Sequence, residues 1–245
     1  MNRAAFRSAF GTQGPVVLPV IHVLETKRTL ANIDVLVGEG APGCFLINHD
    51  FGVEPFLPII REVRAARPDL WIGLNFLAVT GLEAFPQLAS LSREGCRIDA
   101  YWADDARIDE RTEAQPEAAA IAAARDGWDG LYFGGTAFKK QRPVDPGDYG
   151  RAATIARDWM DVVCTSGAAT GIEAEDTKIA TFRAACGDTP LALASGITPD
   201  NAHRYAGVDA FMVATGINFD DNFYDIDPAR LRRLLDVAET LGEPA

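Results

Sequence analysis

Eight strand-length apolar runs, each followed by room for a helix, predict a single closed (β/α)8 barrel. Two further observations agree. Several runs are apolar at consecutive positions, as strands covered on both faces are. After the first run comes His22-Val23-Leu24-Glu25-Thr26-Lys27, where an open doubly wound sheet would carry a glycine-rich phosphate loop. The chain has 245 residues, 48% hydrophobic and 24% charged, which suffices for one substantial core.

Residues 1–15 read as an N-terminal capping segment and residues 16–245 as the barrel. The first ten residues hold Arg3, Phe6, Arg7 and Phe10 without an acid; they are short for a transit peptide, and a terminal helix closing the core is expected. The strands are Val16–Val23, Cys44–Asn48, Trp71–Leu77, Ile98–Trp102, Gly130–Phe133, Asp161–Thr165, Leu191–Ala194 and Ala210–Ala214, with first residues 19 to 32 positions apart. Helical spacing shows between them, as in Phe56, Ile59, Ile60 and Val63, and in Leu231, Leu234, Leu235 and Ala238. Asp227-Pro228 is a helix start, and Thr198 to Asn201 is read as opening a helix between the last two strands. Gly38-Glu39-Gly40-Ala41-Pro42-Gly43 has the letters of a dinucleotide fingerprint, but it follows a helix and precedes a strand, so it ends one element and enters the next.

Charge and composition exclude several functions. Lys and Arg number 23 against 35 acids, a net charge of −12, which argues against a nucleic-acid partner. The longest apolar run, Val16 to Leu24, contains Pro19 and His22 and is too short for a transmembrane segment. Cys44, Cys96, Cys164 and Cys186 show neither zinc-site pairing nor the density of a disulfide scaffold, so a cytoplasmic setting is expected. No Walker A loop, zinc helix or calcium loop occurs, and no cofactor is expected. His22, His49 and Asp50 have ligand chemistry, but no spacing requires a metal and none is assigned. A homo-oligomer is left open.

The informative glycines come late. Ser195-Gly196-Ile197 and Thr215-Gly216-Ile217 end the last two strands. Glycine lets a backbone approach an anion, a hydroxyl donates to it, and a following helix end would offset its charge. Each turn alone is an ordinary strand-to-helix connection; the pair marks the phosphate position of such barrels. Thr165-Ser166-Gly167 after the sixth strand forms a third polar rim loop, with local turn bonding as its plain alternative.

Acid–base candidates end the earlier strands: His22, then Asn48-His49-Asp50, Asn75, Asp104 and Lys139. In a barrel they ring one mouth. Asp104 is the first choice for base, with His49 its partner and Asp50 and His22 beside them; Lys139 would polarise a carbonyl. Asn48 and Asn75, being uncharged, suit substrate hydrogen bonding. Each has a plainer reading: His22 as a packed core histidine, Asp104 or Asp105 as a helix start, and Lys139 with Lys140 as solvated charges.

Taken together, Leu18-Pro19-Val20-Ile21-His22, Phe45 to Phe51, Ala103-Asp104-Asp105, Thr165-Ser166-Gly167 with Thr170-Gly171, Ala194 to Asn201 and Val213 to Ile217 resemble the BtpA family, named for a photosystem I biogenesis factor. The resemblance implies a phosphate-binding TIM barrel of the ribulose-phosphate-binding type. In the loop after the first strand, Glu25-Thr26-Lys27-Arg28 replaces the Pro-Gly turn of that family. The residues and the resemblance lead to one expectation: isomerase or lyase chemistry on a small phosphorylated ligand of phosphosugar or phosphoribosyl type. The alternative is a biogenesis factor that binds such a ligand without turnover.

Overall fold

A computed structural model describes residues 1–242. After α1 (Arg3–Ala9), the units run β1 (Val16–His22), α2 (Thr26–Gly38), β2 (Gly43–Ile47), α3 (Val53–Ala66), β3 (Trp71–Asn75), α4 (Gly81–Arg93), β4 (Ala100–Ala103) and α5 (Pro116–Ala124). They continue with β5 (Leu131–Gly135), α6 (Tyr149–Ala156), β6 (Val162–Ser166), α7 (Asp176–Cys186), β7 (Leu191–Ala194), β8 (Ala210–Val213) and α8 (Pro228–Thr240). The strands close in sequence order, all parallel, and β8 pairs with β1 from Val16–Ala210 to Pro19–Val213. This is a (β/α)8 barrel.

Strand alternation sorts the side chains into two cores. Val16, Leu18, Val20, Phe45, Ile47, Ala100, Trp102, Phe133, Val162, Cys164, Ala192 and Met212 fill the barrel. Val17, Ile21, Cys44, Leu46, Ile72, Leu74, Tyr101, Tyr132, Val163, Leu193 and Phe211 face the helices. The parity carries past the last strand residues. His22 therefore stands in register with Val20, and Asp104 with Trp102.

Helix α1 puts the buried Phe6 into the interior cluster, edge-on to Phe133 at 6.1 Å. Its Arg3 and Arg7, with Arg183 of α7, bind the carboxylate of the fully buried Asp209 at 2.9 to 3.0 Å. The amino-terminal end of the barrel is thereby plugged.

Two local readings of the sequence are corrected. The segment between β7 and β8 forms only a short 3-10 helix, Ala202–Tyr205, because the units there are too closely spaced for a full one. Asn201 immediately precedes that turn, but its side chain does not cap it: Oδ1 accepts from the Thr198 amide and Nδ2 donates to the Gly196 carbonyl. Neither Asp104 nor Asp105 starts a helix; Asp105 accepts from the Arg107 amide in a tight turn, and α5 begins at Pro116. Among the described residues no helix is long and apolar enough to cross a membrane.

Candidate functional site

The carboxyl ends of all eight strands converge on one cavity that opens to solvent. Val20, Ile47, Leu77, Trp102 and Met212 give it an apolar floor and sides. Its polar groups come from His22 and His49 on the β1–β2 side, Asp104 with Lys139 and Lys140 on the β4–β5 side, and the loops after β6, β7 and β8.

The β7 and β8 loops are shaped for close backbone approach. Ser195 and Gly196 both have left-handed backbones, with φ of 78° and 74°. A Cβ on Gly196 would overlap the carbonyl of Ile172, and one on Gly216 the carbonyl of Ile197. The three loops are therefore locked against one another. Among the described residues the amides of Gly196, Ile197, Thr215 and Gly216 donate to no protein acceptor, although Gly196 and Ile197 are buried. Clustered free amides form a concavity for an anion. The helix-end charge expected there is missing, since β7 leads into a short 3-10 turn and α8 begins only at Pro228.

On the far wall Asp104 is buried, and its Oδ1 accepts from Asn75 Nδ2 at 3.3 Å. Burial pushes its carboxyl above the usual range, while Lys140 and Lys139 pull the other way. Lys139 is half-buried, and desolvation lowers its ammonium below the ordinary lysine value, opposed by the charge of Asp104. The loop carrying it is tied down by the Lys139 amide on Ser166 Oγ at 2.9 Å and by Gln141 Nε2 on the Asp104 and Gly135 carbonyls.

His22 lies parallel to Phe223, ring centroids 3.8 Å apart, and its Nδ1 is 3.0 Å from the Phe223 carbonyl oxygen. A carbonyl only accepts, so Nδ1 carries the hydrogen and Nε2 is left as an acceptor. Burial lowers the His22 pKa to about 4, so the ring is neutral at physiological pH. His49, at the exposed rim, stands edge-on to both rings.

Other sequence candidates serve the scaffold. Asn48 accepts from the Leu77 amide and donates to the Phe51 carbonyl. Thr165 faces the helices and bonds the Ala137 carbonyl; Ser166 bonds the Gly167 carbonyl. Asp50 is outside the cavity lining and accepts from the Tyr224 hydroxyl at 3.2 Å. Phe223 had no motif to signal it, and neither did Lys178, whose Nζ donates to the Ala137 and Ser166 carbonyls at 2.7 Å each.

No protein-family model and no curated protein sequence matches the chain. Solved structures match in shape. Tryptophan synthase subunit alpha from Legionella pneumophila str. Paris superposes with a TM-score of 0.68 over 98% of this chain and 99% of its own, at 15% identity. The chain is a TIM barrel. Phosphoribosyl anthranilate isomerase from Thermus thermophilus aligns with 92% of this chain and 98% of its own at a TM-score of 0.60 and 16% identity. A mandelate racemase/muconate lactonizing protein from Herpetosiphon aurantiacus covers 91% of the chain with 61% of its own, at 0.56 and 14%. At such identities the likeness is one of fold, and the chemistry of this barrel rests on its own side chains.

Proposed function

We propose that the protein is an enzyme acting on a small phosphorylated metabolite of phosphosugar or phosphoribosyl type, by proton-transfer isomerase or lyase chemistry. The observation that carries this reading is the division of one cavity into two functional walls. Unpaired amides after β7 and β8 would hold the phosphate, with the Ser195 and Thr215 hydroxyls beside them. Across the ring, at β4 and β5, Asp104 would move the proton and Lys139 would stabilise negative charge developing on a substrate oxygen. His22, neutral and fixed by Phe223, would accept a hydrogen bond from a substrate hydroxyl rather than supply a proton.

The test is a panel of sugar phosphates and phosphoribosyl compounds, incubated with the protein in deuterated water and followed by NMR. Deuterium entry or a new product with wild type, lost in Asp104→Asn while binding persists, supports the enzyme. Binding without exchange or product supports the ligand-binding role implied by the BtpA-family resemblance. If neither the panel nor inorganic phosphate binds, both readings fall.

A further inference from the structure

Asn75 and Asp104 form a buried pair whose hydrogen bonding does not close. Asn75 is fully buried on β3, and its Nδ2 makes one long contact, 3.3 Å, to Asp104 Oδ1. The other half of that amide, Oδ1, has no partner among the described residues. Asp104 receives no second side-chain or backbone donor and forms no ion pair among the described residues. An ionised carboxylate can only accept, so it leaves Asn75 Oδ1 orphaned, and its own buried charge is met by Lys140 and Lys139 without a direct ion pair. A carboxylic acid carries an O–H as well.

We propose that Asp104 is a neutral acid in the resting protein, with Asn75 as the positioning residue whose carbonyl oxygen accepts the Asp104 proton. The amide and the acid then satisfy each other: Asp104 O–H donates to Asn75 Oδ1, and Asn75 Nδ2 donates to the remaining Asp104 oxygen. The electrostatic surroundings are mixed. Lys140 and Lys139 from the loop after β5 and the bond donated by Asn75 Nδ2 favour the ionised form, whereas burial and the neighbouring Asp105 favour the neutral one. Tyr101 on β4 and Cys164 on β6 are buried and held neutral, so they add no charge.

This deepens the proposed function and, in its catalytic part, rests on it. Asp104 enters the reaction as an acid. Its O–H bond breaks, the proton passes to a substrate oxygen, and the bonding pair stays on the carboxylate, which later takes a proton back from substrate or solvent. The substrate class narrows to phosphorylated compounds whose reacting carbon bears a carbonyl or a leaving-group oxygen.

The experiment needs no substrate, so its outcome is separable from that of the metabolite screen. Carboxyl-13C-labelled aspartate is incorporated, the Asp104 resonance is identified by its loss in Asp104→Asn, and pH is titrated by NMR. The expected result is a resonance at the position of a protonated acid at neutral pH. In Asn75→Leu the midpoint falls, by about tenfold or more in proton affinity; the lost Nδ2 donor and the added apolar bulk would each by themselves raise it, so a fall reports the lost acceptor. A wild-type Asp104 ionised at neutral pH overturns the proposal. A midpoint in Asn75→Leu that stays or rises overturns the part given to Asn75.

Discussion

The Nδ1 of His22 lies 3.0 Å from the carbonyl oxygen of Phe223, so the β8–α8 loop fixes the tautomer of a histidine on the first strand. The burial of the ring has a thermodynamic consequence, which the Phe223 bond opposes. Burial depresses the folded-state pKa from 6.5 to about 4, so the unfolded chain takes up the proton first as pH falls. The His22 contribution to stability is complete above about pH 6.5 and is lost towards pH 4, on the order of 3 kcal/mol in all. Urea titrations across this range should show His22→Gln losing less stability than wild type. Parallel pH profiles would refute the assignment.

Ser195 separates backbone strain from anion binding, because serine is held there at φ of 78°. Ser195→Gly relieves the left-handed conformation and should stabilise the protein by up to about 1 kcal/mol, with inorganic phosphate still bound. Ser195→Asp tolerates the same backbone but sets a carboxylate against the free amides of Gly196 and Ile197. Calorimetry should show phosphate binding weakened at least tenfold.

At Gly216 the constraint is packing. A methyl group there overlaps the Ile197 carbonyl, part of the loop it must lie against. Gly216→Ala should cost about 1–3 kcal/mol and weaken phosphate binding together with stability. An unchanged melting temperature would mean that the two loops are not held in contact.

Lys178 ties the loop after β5 to the end of β6 from behind the barrel wall, donating to the Ala137 and Ser166 carbonyls. Lys178→Met keeps the bulk and removes both bonds. Hydrogen exchange at the Lys139 amide, which donates to Ser166 Oγ, should then accelerate more than exchange at β1 or β2. Uniform acceleration would indicate global destabilisation instead.

Much of the barrel was legible because its code is local. The alternation of Val16, Leu18 and Val20 puts His22 in the same register, and Trp102 does so for Asp104. The spacing of the apolar runs gave every strand to within a few residues at each end. What could not be read is what depends on one loop meeting another. Phe223 on His22 and Lys178 behind Lys139 join residues distant in sequence and carry no periodicity. The short connection to β8 misled for a related reason: Thr198 caps a turn as its letters promise, its Oγ1 accepting from the Asp200 amide, yet only the 3-10 helix Ala202–Tyr205 follows. Asn48, read as a substrate ligand, likewise has both ends of its amide engaged by backbone at Leu77 and Phe51.

Arg3 and Arg7 are synthesised before every strand of the barrel, whereas the Asp209 they grip follows Arg3 by 206 positions, at the threshold of β8. Until then α1 lacks its ion pairs, Phe6 has no complete socket, and the seam between β1 and β8 stays open. The nascent chain must therefore wait with an apolar plug and an unpaired strand edge exposed, a period in which chaperones would find it and aggregation would compete.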